Sequence, residues 1–418
     1  MEPIAPGGAR ARRSKHSVGE LAVFGGPTAV PDPLHVGRPN IGDKSRLLQR
    51  LSDALDRRWL TNDGPLVREF EDAIAEQAGV KHCVATCNGT LALELAVRAT
   101  GISGAAVTPS FTFVATAHAL HWQGLTPIFC DIEPLTHLLD AGQVEAVLTP
   151  DTTGIVAVHL WGQPCDVPAL TDLAARNGLK LIFDAAHAFG SAYDGRPVGS
   201  FGDAEVFSFH ATKLVNSFEG GAIVTDDDDL AARVRLTRNF GFSGIDTVEC
   251  VGTNAKMSEA AAAMGLTTLE ALPRVLEHNR SNYDRYGAEL TGTAGIRLLH
   301  YNPRHTNNFQ YVVLEVDETL TAISRDDLVT VLSAENVLAR RYFFPGCHRM
   351  EPYRSIFSRQ RTALPATNQV SQRVMVMPTG EAVTPAALDA TCDVIRFVVG
   401  HGAEVAERLA KRGEHGVP

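Results

Sequence analysis

Between residues 80 and 225 the chain repeats one pattern, a short apolar run of strand length followed by a segment with helical spacing. KHCVATC precedes TLALELAVRATG, and AAVTPSF precedes FVATAHALHWQG. TPIFCDIE and GIVAVHLWG lead into VPALTDLAARNG, and LKLIFDAAH, AEVFSFH and GGAIVTDD complete the series. Apolar strands separated by helices read as βαβ units. Helical crossovers make the strands parallel and cover both faces of the sheet. The expected fold is therefore α/β, a mostly parallel central sheet with helices on both faces. Ligands of such sheets bind beyond the carboxyl ends of the strands.

The chain has 418 residues, too many for one ordinary core. SEAAAAMGLTTLEALPRVLEHNRSNYDRYGAEL reads as long helix interrupted near Pro273. It is expected to cross from a large domain over residues 21–285 to a smaller α+β domain over 286–418. Residues 1–20 carry Arg10, Arg12, Arg13 and Lys15 but no apolar core, so a disordered tail is expected and not a secretory signal. The formal net charge of −10 offers no basic footprint for nucleic acid. No apolar run reaches the length of a membrane span. The seven cysteines, odd in number and without a CxxC pair, fit a reducing, cytoplasmic setting.

Three features fall at predicted strand ends. Cys87-Asn88-Gly89-Thr90 directly precedes a helix, whose N-terminus presents free N–H groups and a partial positive charge suited to phosphate. Gly89 allows close approach and Thr90 adds a hydroxyl, although an ordinary cap would use the same residue types. Asp184, in LIFDAAHAFGS, ends an apolar run, where a carboxylate needs a cationic partner unless it caps the next helix. Lys213 stands just past AEVFSF, in HATK, with Ser208 and His210 before it. Either its amine reaches the surface, or it is desolvated, loses its proton more easily and becomes a nucleophile.

Together the three point to one ligand, an aldehyde-bearing, phosphorylated, protonatable aromatic ring. The lysine would form a Schiff base with the aldehyde, the helix N-terminus would hold the phosphate, and the aspartate would keep the ring nitrogen protonated. Pyridoxal 5'-phosphate (PLP) has that chemistry, and Phe113 in SFTF is placed to stack on the ring. His118 and His121, three apart in AHALHW, have no third ligand nearby in sequence, and no metal site is expected.

WLTNDGPLVREFE, CNGTLALELA, PSFTFVATAHA, VHLWGQPCD, FDAAHAFGS, FGDAEVFSFHATK, EGGAIVT, GTNAKMSEAAAAMGL and FFPGCHRMEPY follow one another along the chain. With these motifs, from about residue 21 to 400, it resembles the sugar aminotransferases of the DegT/DnrJ/EryC1/StrS family. That resemblance implies the aspartate-aminotransferase fold, PLP fold type I. It assigns Lys213 to the Schiff base, Asp184 to the pyridine nitrogen, and Gly89, Thr90 and Ser208 to the phosphate. Phe113 matches the stacking aromatic, and His187 stands where relatives place a Gln or His beside the ring oxygen. Asn254 matches an asparagine that reaches the phosphate of the neighbouring subunit's cofactor, which implies a homodimer with shared active sites. Tyr342 and His348 match a stretch near the sugar nucleotide. Phe218 departs from the small residue of many relatives, and SGAAVTPS lacks their acidic turn.

The implied reaction is a two-stage amino transfer from L-glutamate to a dTDP-keto-deoxysugar, with Lys213, once displaced, as the natural base. LHVGRPNIGDKSRLLQRLSDALDRRWLTNDGP resembles most the 4-aminotransferases acting on dTDP-4-keto-6-deoxyglucose in bacterial deoxysugar and antibiotic pathways. A 3-keto sugar is the alternative substrate. Related sugar dehydratases carry histidine where Lys213 stands. A silent binding module of the same fold would be expected to lose the lysine or the aspartate.

Overall fold

The computed structural model describes residues 15–356 and 363–414. Seven strands form the central sheet: β1 (His82–Thr86), β2 (Ala105–Pro109), β3 (Thr126–Cys130), β4 (Thr152–Val158), β5 (Lys180–Asp184), β6 (Ala204–Ser208) and β7 (Gly221–Thr225). Their order across the sheet is β1-β7-β6-β5-β4-β2-β3. Every pairing is parallel except those of β7, which runs antiparallel to both β1 and β6. The exception has a local cause. HATKLVNSFEGG joins β6 to β7 without a crossover helix, so the chain must turn back on itself. That turn lies at the carboxyl end of β6, where a parallel sheet collects its ligands.

A second sheet, β8 (Ile296–Leu298), β9 (Val312–Val316) and β10 (Val374–Met377), is antiparallel in that order. It forms the smaller domain with helices Arg325–Ala334 and Pro385–Gly400. The helix Leu272–Leu290 joins the two cores. Leu272 and Val275 belong to the large one, Tyr283, Tyr286 and Leu290 to the small one. Pro273 sits in its first turn, where a missing N–H costs nothing, and Ala271 separates it from the preceding helix Glu259–Glu270.

The N-terminal segment departs from its expected tail. Residues 1–14 lie outside the described residues, but Val18 and Leu21 are buried in the small-domain core with Val30 and Leu34. Glu335 explains the attachment. Its buried carboxylate accepts from the N–H groups of Ala22 and Ala29, both at 2.7 Å, and lies 2.9 Å from Lys15 Nζ. Leu34–His35 then pairs in parallel with Val337–Leu338. Residues from 18 to 35 therefore pack with the smaller domain, although they precede the larger one in sequence.

One buried ion pair fastens two helices to β1. Arg238 Nη1 donates to Glu71 Oε1 at 2.6 Å and to Ala85 O at 2.9 Å, and Glu71 Oε1 also accepts from Ala85 N at 2.8 Å. Burial pushes the Glu71 carboxyl up, and Arg238 opposes that. Removing one member leaves a buried charge without its partner. Arg238→Met is expected to lower stability by about 3 kcal/mol, read as an earlier urea midpoint.

Candidate active site

The site is assembled at the carboxyl ends of β1, β5 and β6. β1 runs into Cys87 and Asn88, and Asn88 caps the helix Gly89–Thr100 by accepting from Leu91 N at 2.8 Å. The first N–H groups of that helix have no acceptor within it. Gly89 lies against the end of β6. A Cβ there would stand 3.0 Å from Ser208 Cβ and 3.2 Å from its hydroxyl. Gly221, opening β7, is equally tight, since its Cβ would meet the Asn88 carbonyl and Gly89 N at 2.7 Å. The absence of side chains at Gly89 and Gly221 thus sets the helix start, with Thr90 in its first turn, against Ser208, a small cradle of N–H and hydroxyl donors.

Asp184 closes β5 and is buried. No helix follows it, because residues 185–191 form turns, so it has none to cap. Its carboxylate accepts from Thr116 Oγ1 at 2.8 Å and from Ala186 N at 3.1 Å. Burial pushes this carboxyl up, while both bonds and the nearby Lys213 pull it down. A carboxylate held this way is suited to a cationic N–H group in the cleft.

Lys213 stands in the β6–β7 loop, its N–H bonded to His210 O at 2.8 Å. The side chain is half-buried. Burial pushes its amine down to about 8, against the pull of Asp184. The amine thus releases its proton far more readily than a surface lysine. Nζ donates to Tyr311 Oη at 3.3 Å.

His187 is buried under aromatic rings, with centroids 4.4 Å from Tyr311 and 5.9 Å from both Trp161 and Phe343. Burial, then Lys213, holds it well below the usual histidine range, so it is a neutral imidazole. Its Nδ1 is buried with no hydrogen-bond partner among the described residues. A ligand oxygen is the partner such a nitrogen lacks.

Phe113 is 58% exposed, an unusual state for a large aromatic, and lines an open pocket with Tyr342, Phe344, Arg340 and Arg341. Tyr342 stacks on Phe343 at 5.2 Å, with the Arg340 guanidinium 5.4 Å from its centre. His348 stands apart from that pocket's lining. Its Nδ1 pairs with Ser110 Oγ at 2.7 Å and its Nε2 with Asn368 Oδ1 at 3.2 Å, so both ring nitrogens are engaged within the chain. Asn254 is exposed, beside the bond from Cys87 N to Ala255 O at 2.8 Å that ties its segment to the phosphate-side loop. Phe218 adopts a left-handed φ of 62° and is exposed. His118, considered above as one of a histidine pair, bonds through Nδ1 to the Tyr353 hydroxyl.

The residues fit PLP as a set. The cradle suits a phosphate, Asp184 a ring N–H, Lys213 an aldehyde carbon and the orphaned His187 Nδ1 a ring oxygen. Three contributors escaped sequence reasoning: Thr116, Trp161 and Tyr311. Tyr311 is 98 residues from Lys213, and no local pattern links them. For Thr116 a signal existed, because a threonine on the helix after SFTF faces the strand ends.

Residues 42–396 match the family model described as the DegT/DnrJ/EryC1/StrS aminotransferase family. A dTDP-4-amino-4,6-dideoxy-D-glucose transaminase of Shigella dysenteriae is 35% identical over 367 residues, 88% of this chain and 99% of that protein. A GDP-perosamine synthase of Caulobacter vibrioides is 38% identical over 311 residues, 72% of this chain and 82% of that protein. The crystal structure of DesI in the presence of its TDP-sugar product superposes with a TM-score of 0.91 at 52% identity, covering 94% of this chain and 100% of that one.

Asp184→Asn keeps the shape of the site and removes its negative charge. The variant is expected to retain the cofactor while turnover falls by about 100-fold or more. Near-normal turnover would leave Asp184 with no role beyond bonding Thr116 and Ala186.

Proposed function

The chain belongs to the DegT/DnrJ/EryC1/StrS aminotransferase family, whose members are PLP-dependent, and has the PLP fold type I; from that premise we propose that it transfers the amino group of L-glutamate to C4 of dTDP-4-keto-6-deoxy-D-glucose. The product would be dTDP-4-amino-4,6-dideoxy-D-glucose, a building block for deoxysugars of the kind attached to antibiotics. The observation that carries this choice is the likeness to DesI, crystallised with its TDP-sugar product, which extends at 52% identity over all of that chain. The Shigella dysenteriae relative, whose name contains the proposed product, supports the same reading.

PLP, when bound, supplies an aldehyde that receives the amino group and a protonated ring that withdraws electrons from the bond being broken. The chain's own residues do the rest. Lys213 would anchor the cofactor and, when free, take the proton from the substrate carbon at its Nζ. Its lowered proton affinity suits both tasks. Asp184 holds the proton on the ring nitrogen. Gly89, Thr90 and Ser208 would hold the phosphate, Phe113 would stack on the ring, and His187 would bond the ring oxygen through Nδ1. Tyr342 borders the sugar nucleotide. His348, engaged on both sides, acts there through the loop it fastens.

The working unit is proposed to be a homodimer in which Asn254 serves the partner's phosphate. Large apolar side chains are exposed on and after helix Lys44–Arg57, among them Leu48, Leu55, Trp59 and Leu60, and again at Phe240 and Phe242 near Asn254. Exposed apolar side chains of this size suit a subunit interface.

Two experiments test the proposal. Incubation with glutamate and a panel of keto-sugar nucleotides, read by NMR, is expected to give amination at C4. Product at C3 alone would replace the substrate while keeping the reaction type. Lys213→Ala is expected to abolish turnover and the covalent attachment of the cofactor. The dimer has its own test in hybrids of Lys213→Ala and Asn254→Ala subunits. If Asn254 works across the interface, each hybrid contains one site with both residues intact and regains activity. If it works within its own subunit, the hybrids have no intact site and stay inactive.

A further inference from the structure

Tyr311 belongs to two domains at once. Val312, the next residue, opens β9 and is buried in the small-domain core, but the Tyr311 ring is part of the large-domain core. The ring is 6% exposed, packed 4.4 Å from His187 and edge-on to Trp161 at 5.4 Å. Its hydroxyl meets Lys213 Nζ at 3.3 Å. Gln310 Nε2 donates to the same oxygen at 3.3 Å and also points at Thr212 O, 3.4 Å away. The Gln310 amide occupies one lone pair, which leaves the other lone pair and the phenolic proton for the lysine.

We propose that Tyr311 is a positioning residue for amino transfer, holding the Lys213 nitrogen in place whenever it is not bonded to the cofactor. The inference rests on the aminotransferase reading of the site. A lysine side chain has four rotatable bonds, and a displaced one would otherwise wander, at the expense of the geometry a base requires. The phenol serves both states of the amine. An ammonium donates to its lone pair, and a neutral amine accepts its O–H. When Nζ takes a proton from the substrate carbon, the contact reverses polarity and neither heavy atom has to move. Burial keeps Tyr311 well above the usual phenol range, so it remains a neutral phenol beside the lysine. The titratable groups that face Lys213 are Asp184, His187 and Tyr311, and His187 is held neutral as well. Of the three, Tyr311 alone is bonded to Nζ among the described residues.

Tyr311→Phe removes the hydroxyl and keeps the ring. Two readouts separate positioning from packing. In cofactor-stripped protein, acetic anhydride labelling of Lys213 against pH, read by peptide mass spectrometry, is expected to show a midpoint near 8 for the wild type. In the variant the ammonium loses a charge-assisted bond, stronger than the O–H bond the neutral amine loses, so the midpoint is expected to fall by about half a pH unit or more. In holoenzyme, the single-turnover rate with glutamate is expected to fall about tenfold with KM nearly unchanged. Superimposable labelling curves would overturn the inference whatever the rate. Should Tyr311→Phe fail to fold, Gln310→Leu, which frees the phenol to rotate, is read by the same labelling with the same two outcomes. Wild-type protein that takes no amine from glutamate would defeat the functional proposal instead, and the labelling comparison would still judge Tyr311.

Discussion

Asp184 and Lys213 face one another from the ends of adjacent parallel strands, and the rest of the site is arranged around that pair. Both groups are desolvated, which pushes the carboxyl up and the amine down, and each partly offsets the shift of the other. Among the described residues, neither stands in a close ion pair. Asp184 is bonded to Thr116 and the backbone of Ala186, and Lys213 to a phenol. The protein thus bears two desolvated groups that influence each other without being bonded to each other among the described residues. A ring with a protonated nitrogen at one end and a carbonyl carbon at the other would complete both, which makes the arrangement intelligible as a cofactor site.

The sheet topology makes the arrangement possible. Had β7 followed β6 through a helical crossover, the residues after β6 would have entered a helix instead of a loop over the strand ends. The direct return places Lys213 there and brings Gly221 against Asn88 and Gly89. One antiparallel strand in a parallel sheet therefore accounts for both the lysine loop and the tightness of the phosphate cradle.

This distinction decides what was legible in the sequence. The strand–helix alternation exposed the sheet, and Asp184 and Lys213 stood out because a charged residue directly after an apolar run is locally anomalous. Gly89 and Thr90 were readable as a helix start. What resisted reading depends on contacts between distant segments. Glu335 captures the N–H groups of Ala22 and Ala29, in a segment where Val18, expected in a tail, and Leu21, expected in the large domain, join the small-domain core. Gln310, Tyr311 and Thr212 meet only because the small domain docks on the lysine loop. His348 carries a suggestive residue type, yet its nitrogens are committed to Ser110 and Asn368, a fact no spacing announces.

The placement of Tyr311 is itself enforced from below. Trp161 and Gly162 in VHLWGQPC both have left-handed backbones, with φ of 61° and 77°. For a tryptophan that conformation costs on the order of 1–3 kcal/mol and persists only if its surroundings hold it. They do so at several points. Trp161 Nε1 donates to His137 Nδ1 at 3.2 Å, and His137 Nε2 pairs with Glu315 Oε1 at 3.0 Å. Burial would raise Glu315, but its bonds to His137 and Arg297 keep it below the usual carboxylate range. Asn307 Nδ2 donates to Trp161 O at 3.2 Å, and Asn308 Nδ2 to the carbonyls of His187 and Phe189, both at 2.9 Å. A side chain on Gly162 would collide with Asn308 Oδ1 at 2.2 Å, so this turn has to be glycine. Glu315 lies on β9 and the two asparagines on the approach to it. The strand that carries Tyr311 into the cleft therefore also fixes the tryptophan against which Tyr311 and His187 pack, and the strained turn and the lysine's phenol partner are set by the same docking of small domain on large.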